Sequence, residues 1–179
     1  QMRRLPILLL APLALATAAA AVAQSREPVS ALKGHNSDAP IDLTADRLEV
    51  QDRADRAMFS GNVKVRQDEL TLDTSRLTVA YSSSGGVQIK RLDASGGVTV
   101  RSPSETARGS FGIYDLDRKL ITLVGNVVLQ RQGSQLSGQR LVIDLDSGRA
   151  VIDGGPAGVG QSGGRVTGHF TVPQRRGSR

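Results

Sequence analysis

Apolar and polar residues alternate one by one in short stretches through most of this chain. Examples are residues 63–66 (Val-Lys-Val-Arg), 98–101 (Val-Thr-Val-Arg) and 141–145 (Leu-Val-Ile-Asp-Leu). Successive side chains of a β-strand point to opposite faces, so each stretch predicts a strand with one apolar and one polar face. Turn-forming residues separate the stretches at 67–69, 82–86, 132–134 and 146–148. Because no window carries a sustained helical stripe with caps, the sequence predicts an all-β fold of antiparallel strands.

A three-residue signature recurs along the predicted sheet. Gly61-Asn62-Val63 returns 64 residues later as Gly125-Asn126-Val127, and the match continues without gaps to Ile143. A weaker copy begins at Gly96, 35 residues after the first. Each copy leads a strand, a turn and a second strand, which together form a hairpin. One hairpin cannot bury its apolar face alone, whereas stacked copies form a continuous apolar surface.

The composition divides the chain into segments. Residues 1–23 begin with Arg3 and Arg4, continue as an apolar run and end at Ala21-Val22-Ala23, a pattern typical of a cleavable signal peptide. The alternative interpretation of this run is an uncleaved membrane anchor. With cleavage, we expect an exported protein. The remaining segments are a flexible lead-in at 24–40, a β-domain at 41–153, a glycine-rich segment at 154–164, an edge strand at 165–172 and a basic tail at 173–179.

The basic excess lies outside the β-domain. The chain has 23 Lys and Arg against 17 Asp and Glu, but two basic residues lie in the predicted signal peptide and four follow residue 153. Residues 24–153 therefore carry 17 charges of each sign. A segment with no net charge lacks the basic surface that is typical of nucleic-acid-binding proteins. The chain has no cysteine, which excludes disulfides, thiol nucleophiles and thiolate metal sites.

Short motifs that suggest catalysis lack the context their chemistry needs. Residues 160–164 match the nucleophile-elbow string, but no helical pattern follows and His169 is only seven residues away from Ser162. Residues 158–163 also match a dinucleotide-binding loop, but without a βαβ unit. The Asp-x-Asp-x-Gly run at 144–148 resembles the start of a calcium loop without its bidentate glutamate, so a hairpin turn is the better interpretation. The sequence predicts a protein that is not an enzyme and holds no metal or cofactor.

The apolar face of the sheet is the remaining candidate for function. Its residues are valine, leucine and isoleucine, and aromatic residues make up only 3% of the chain. An aliphatic interior between two sheets can be an ordinary filled core, or it can hold acyl chains. The periodicity is the same in both cases, so both alternatives stay open at this point.

Three segments carry a resemblance to a known family. They are residues 40–48 (Pro-Ile-Asp-Leu-Thr-Ala-Asp-Arg-Leu), 59–67 (Phe-Ser-Gly-Asn-Val-Lys-Val-Arg-Gln) and 121–129 (Ile-Thr-Leu-Val-Gly-Asn-Val-Val-Leu). Their order resembles the OstA-like family of lipopolysaccharide-transport proteins, over residues 40–153 and more weakly over 165–172. The resemblance implies an open, twisted, antiparallel β-jelly roll in the periplasm of a Gram-negative bacterium. It also implies an apolar groove that shields the acyl chains of lipopolysaccharide between the inner- and outer-membrane export complexes.

The resemblance also implies partners, because members of the family dock end to end by strand pairing. The expected partners are lipopolysaccharide through its lipid A acyl chains, further copies of the chain, an LptC-like inner-membrane protein and the N-terminal domain of the outer-membrane translocon. No cofactor is expected.

The expected site residues fall into an inward set and two sheet edges. The inward set contains the residues that the alternation places on the apolar face, and the resemblance adds Leu116. The resemblance also implies that this set binds lipid. Its members are Ile41, Leu43, Val63, Val65, Leu70, Leu72, Leu77, Val79, Val98, Val100, Leu116, Leu123, Val127, Leu129, Leu136, Leu141 and Ile143. Open edges carry unpaired backbone groups that invite a partner strand. The residues expected at these edges are Ile41, Leu43, Leu48, Val50, Val166, Phe170 and Val172.

Two other functions stay open on the sequence. A secreted structural β-protein with a filled core would bind no lipid. Alternatively, the basic tail would bind anionic surfaces such as phosphorylated lipid headgroups.

Overall fold

The computed structural model describes Leu32, residues 35–155 and residues 164–170. Nearly all of this part of the chain lies in one antiparallel sheet, which confirms the predicted fold class. A short 3-10 helix, Asp52–Ala54, lies between the second and third strands. The strands are β1 (Ile41–Thr44), β2 (Arg47–Gln51), β3 (Arg56–Gln67), β4 (Leu70–Ser82), β5 (Gln88–Arg101), β6 (Glu105–Asp115), β7 (Leu120–Arg131), β8 (Ser134–Asp144), β9 (Arg149–Asp153) and β10 (Thr167–His169).

Several segments that the sequence analysis singled out are not described by the structure. The predicted signal peptide, residues 156–163 of the glycine-rich segment and the basic tail lie outside the described residues. Within the described residues, no helix is long and apolar enough to cross a membrane.

A β-bulge interrupts three of the long strands at the glycines of the sequence repeat. In β3, Gly61 and Asn62 together oppose the single residue Ser75, because the pairing register shifts between Ser60 and Val63. Gly96-Gly97 in β5 and Gly125-Asn126 in β7 produce the same shift. Gly61 has φ of 77° and Asn62 has φ of 44°, a left-handed conformation that glycine adopts freely and asparagine tolerates. The repeat thus marks the middle of a long strand, and not its beginning as the sequence suggested.

The bulges align across the sheet and divide it into two layers. The first layer contains β2, β9 and residues 56–60, 76–82, 88–95, 111–115, 120–124 and 140–144. The second layer contains β1, β10 and residues 63–67, 70–74, 98–101, 105–109, 127–131 and 134–138. Asp46 lies between β1 and β2, level with the line of bulges. Its N–H donates a hydrogen bond to the carbonyl of Gly61 at 2.9 Å.

The two layers face each other across an aliphatic core. A Cβ on Gly112 of the first layer would lie 3.0 Å from a methyl carbon of Val98 in the second. The buried residues come from both layers, and Leu77, Leu123 and Leu141 have no exposed surface. Burying each such side chain contributes about 1.5–3 kcal/mol.

Most of the residues predicted to face inward are buried or partly buried. Twelve of the predicted residues are buried: Val63, Val65, Leu70, Leu72, Leu77, Val79, Val98, Val100, Leu123, Val127, Leu141 and Ile143. Ile41, Leu43, Leu116 and Leu129 are partly buried against this core, and Leu136 is half-buried in β8. The core also holds residues that the sequence set omitted: Leu32, Leu92, Ala94, Ala107, Tyr114, Ile121 and Leu145.

The bulge glycines give a direct test of this fold. Gly125 and Gly85 both have φ of 82°, but a Cβ on Gly125 would lie 3.0 Å from Ser110, whereas nothing lies within 4 Å of the corresponding point on Gly85. We expect Gly125→Ala to lower the free energy of unfolding by about 2–4 kcal/mol and Gly85→Ala by about 1 kcal/mol. Urea denaturation measures both. Equal losses would contradict close packing at the bulge.

Candidate functional site

The interior is nearly filled where the middles of the two layers meet. The void there measures only about 20 Å³. Val65, Leu72 and Val100 line it from the second layer, and Leu92 and Leu123 line it from the first. This part of the molecule has the close packing of an ordinary protein core.

The interior opens into an apolar groove at the edge formed by β1 and β2. The groove has a volume of about 500 Å³, within the range of small-molecule pockets. Three apolar side chains of its wall face solvent: Leu48 is 53% exposed, Val50 54% and Val87 75%. Ile41 lines both this groove and the central void. The other apolar lining residues are Leu43, Ala57, Phe59, Val79 and Ile89.

The groove has a polar rim on one side. Asp52, Asp55, Tyr81 and Ser83 form it. The hydroxyl of Ser83 donates to Asp55 at 3.2 Å, and the hydroxyl of Tyr81 donates to Asp52 at 3.5 Å. Desolvation, followed by the charges of Asp52 and Asp55, raises the pKa of the Tyr81 phenol, so it remains a neutral donor. The groove is therefore apolar inside and hydrogen-bonded at its rim.

A buried amide connects the two layers beside the central void. Gln67, the last residue of β3, is 2% exposed, and its Oε1 accepts a hydrogen bond from the Tyr114 hydroxyl at 2.9 Å. Tyr114 belongs to β6 in the opposite layer. Burial raises the pKa of the Tyr114 phenol, which keeps the hydroxyl protonated as the donor.

A second hollow, of about 490 Å³, lies among turns near β10 and is polar. Its lining includes Glu105, Gln130, Arg131, Gln135 and His169. Such a surface does not suit hydrocarbon.

The structure distributes the predicted site residues unevenly. Ile41, Leu43 and Val79 line the open groove, whereas most of the inward set lies in the closed core. Lipid contact by the inward set stays a prediction.

The structure gives the positions of most residues expected at the sheet edges. Leu48 and Val50 lie on β2 and in the groove wall. Val166 and Phe170 flank β10 and are 40% and 63% exposed, while Val172 lies outside the described residues. Partner binding at these residues stays a prediction.

Sequence reasoning missed part of the groove wall. Phe59 and Ile89 continue the same alternation as their neighbours, so that signal was available for them. Gln67 had no such signal, because the Gln67-Asp68-Glu69 run is typical of a turn.

The run at 144–148 is a hairpin turn, as predicted. The Asp144 Oδ1 accepts hydrogen bonds from the backbone N–H groups of Asp146 and Ser147, both at 3.0 Å. The bond from Ser147, more than any other contact, lowers the pKa of the Asp144 carboxyl.

Comparison with known proteins identifies the family. Residues 42–149 match the family described as "LptA/(LptD N-terminal domain) LPS transport protein". The chain belongs to this family. The OstA-like resemblance is thereby confirmed.

A relative and a solved structure agree with this membership. An uncharacterized protein of Rhizobium meliloti (strain 1021) is 34% identical over 125 residues, which are 66% of this chain and 67% of the relative. The second match is the crystal structure of LptH, the LptA-homologous periplasmic component of the lipopolysaccharide transport device of Pseudomonas aeruginosa. Its TM-score is 0.67 at 16% identity, covering 77% of this chain and 99% of LptH, so the likeness shows the fold. The β-jelly roll is confirmed.

The hydrogen bond between the layers gives a stability prediction for the two tyrosines of the chain. We expect Tyr114→Phe to lower the free energy of unfolding by about 1–1.5 kcal/mol, because buried Gln67 loses a partner. Tyr81→Phe, the matched control at the groove rim, should cost less than about 0.5 kcal/mol. Urea denaturation compares the two. Equal losses would contradict the role assigned to the Gln67 contact.

Proposed function

We propose that this protein is a periplasmic lipopolysaccharide carrier that shields acyl chains in its apolar interior and bridges inner- and outer-membrane export complexes. Family membership supports lipopolysaccharide transport. The observation that carries the site assignment is the open apolar groove at the β1 and β2 edge, with exposed Leu48, Val50 and Val87. In this proposal the protein is a carrier and catalyses no reaction.

The physical basis is the hydration of hydrocarbon. Each CH₂ group costs about 0.8 kcal/mol in water, so a twelve-carbon acyl chain costs about 10 kcal/mol. A lipid with several such chains needs a continuous apolar cover to cross an aqueous compartment. The groove offers a first binding place, and Ile41, which lines both the groove and the central void, lies where acyl chains would pass between the layers.

The sheet edges support bridging by strand pairing. Each layer contains eight strand segments in antiparallel order, so its two end strands run in opposite directions. A second copy placed end to end therefore continues both layers with antiparallel pairing. In this arrangement β9 of one copy lies beside β2 of the next, and β10 of the first copy lies beside β1 of the next. The same geometry suits the related domains of an LptC-like protein and of the outer-membrane translocon.

The filled middle of the core favours a second candidate function. A secreted structural β-protein would need only that core and would bind no lipid. The exposed groove wall counts against this candidate, because isolated soluble domains rarely expose continuous apolar surface without a use.

Photo-crosslinking separates the two candidates. We expect p-benzoylphenylalanine at Phe59, in the groove wall, to form an adduct with lipopolysaccharide in exporting cells. The same residue at Met58, which points to the outer face of β3, should form little or none. Adducts at neither position, in well-expressed protein, would favour the structural protein.

Cysteine crosslinking tests the bridge, and the natural chain has no cysteine to interfere. Glu49 and Val151 lie at the centres of β2 and β9. We expect an equimolar mixture of Glu49→Cys and Val151→Cys proteins to form a disulfide-linked heterodimer under mild oxidation.

The matched control pairs Glu49→Cys with Thr78→Cys, because Thr78 lies on β4 between two neighbouring strands. Equal yields from the two mixtures would show random collision and would contradict edge pairing.

A further inference from the structure

A segment before β1 lies across the side of the molecule where the two layers end in turns. We call Leu32 together with residues 35–40 the strap. Leu32 is 4% exposed and belongs to the hydrophobic core. Within the strap, the N–H of His35 donates to the carbonyl of Leu32 at 3.0 Å, and the N–H of Ala39 donates to the carbonyl of Asn36 at 3.1 Å. The flexibility of the lead-in at 24–40 stays a prediction.

The strap is attached to the sheet through Gln67. The Nε2 of Gln67 donates to the carbonyls of Ser37 and Ala39, both at 2.9 Å. Its Oε1 lies 3.1 Å from Nε2 of His35 and also accepts from Tyr114. An amide side chain has two N–H donors and two acceptor lone pairs, and here all four are used. Two backbone carbonyls require donors, which fixes the orientation of the amide.

The position of Gln67 links the strap to the apolar interior. Gln67 lines the central void together with Val65, Leu70 and Leu72. Ile41, the first residue of β1 and directly after the strap, lines both the void and the open groove. The strap therefore contacts Gln67 in the wall of the void and ends next to Ile41, which the void and the groove share.

The strap lacks the ladder of hydrogen bonds that joins the strands around it. β3 and β4 are joined by a full antiparallel ladder over most of their length. No regular strand lies between Leu32 and β1 within the described residues, where the contacts of the strap include the Gln67 amide, the His35 contact and the burial of Leu32. Segments outside the core strands open at lower free energy than those strands.

We propose that the strap is a lid on the interior, latched by Gln67, and that it must release before acyl chains can pass from the groove between the layers. This proposal rests on the proposed acyl-binding function. Lipid and strap compete for the same apolar surface, so the closed strap lowers the apparent affinity for lipid in proportion to the closed population. Weakening the latch should therefore strengthen lipid binding, although it removes native contacts.

The test compares the binding of a purified rough lipopolysaccharide to the exported protein, purified from the cells that make it, and to two variants. Gln67→Glu keeps the shape of the side chain but cannot donate to Ser37 and Ala39. Leu32→Ala shortens the strap's anchor and leaves every sheet residue intact, so it serves if Gln67→Glu fails to fold. Gln88→Glu, an exposed residue at the start of β5, is the matched charge control.

We expect both latch variants to bind lipopolysaccharide roughly tenfold more tightly than the unmodified protein, and Gln88→Glu to bind with unchanged affinity. Hydrogen exchange gives an independent readout. In the unmodified protein, the amides of His35 and Ala39 should lose protection when lipopolysaccharide binds, while the amides of β4 keep theirs.

The two proposals fail differently. If the unmodified protein binds lipopolysaccharide with the His35 and Ala39 amides still protected, and the variants bind with the same affinity, the lid is overturned and the carrier function stands. If no protein in the series binds lipopolysaccharide, the carrier function is overturned and the lid with it.

Discussion

The fold depends on pairs of residues in left-handed conformation at one line across the sheet. Without the bulges at Gly61-Asn62, Gly96-Gly97 and Gly125-Asn126, the long strands would continue as one twisted ribbon with an apolar face open to water. The bulges bend the sheet so that its apolar face meets itself. Because each bulge needs a backbone that most residues resist, a short Gly-Asn signature recurs in a chain with little other repetition.

This construction leaves openings that a closed barrel would not have. In the part of the chain that the structure describes, both ends of each layer keep an unpaired edge, and an apolar groove opens at β1 and β2. A filled core in the middle and an open groove at one end are therefore parts of one design. In the proposed function, the middle supplies stability, the groove supplies an apolar surface for acyl chains, and the edges supply places for partner strands.

Much of the fold follows from the sequence, because strand alternation is a local property. Period two correctly assigned residues such as Leu72 and Leu141 to the inside, and glycine-rich turns correctly separated the strands. The two-layer arrangement did not follow, since a bulge is recognised only when the register of both strands is known. The groove was also beyond reach: Phe59 and Leu77 face each other on adjacent strands, yet Phe59 lines the opening and Leu77 is fully buried. The two residues differ in exposure because β3, which carries Phe59, is one strand nearer to the sheet edge than β4, which carries Leu77.

Gln67 is a polar residue whose role could not be predicted from its local sequence. A glutamine followed by two acidic residues is typical of a solvated turn, and nothing local indicates that four groups far apart in sequence converge on it. Its partners lie 28 to 47 residues away.

In the proposed carrier, acyl chains lie between the two layers. The most direct measurement is a set of intermolecular nuclear Overhauser effects between lipopolysaccharide and methyl-labelled Leu and Val residues. We predict contacts from acyl CH₂ groups to methyls of both layers, including Leu43, Leu48 and Val79. Contacts confined to outward methyls such as Val142 and Val151, or no contacts with lipid bound, would contradict the account.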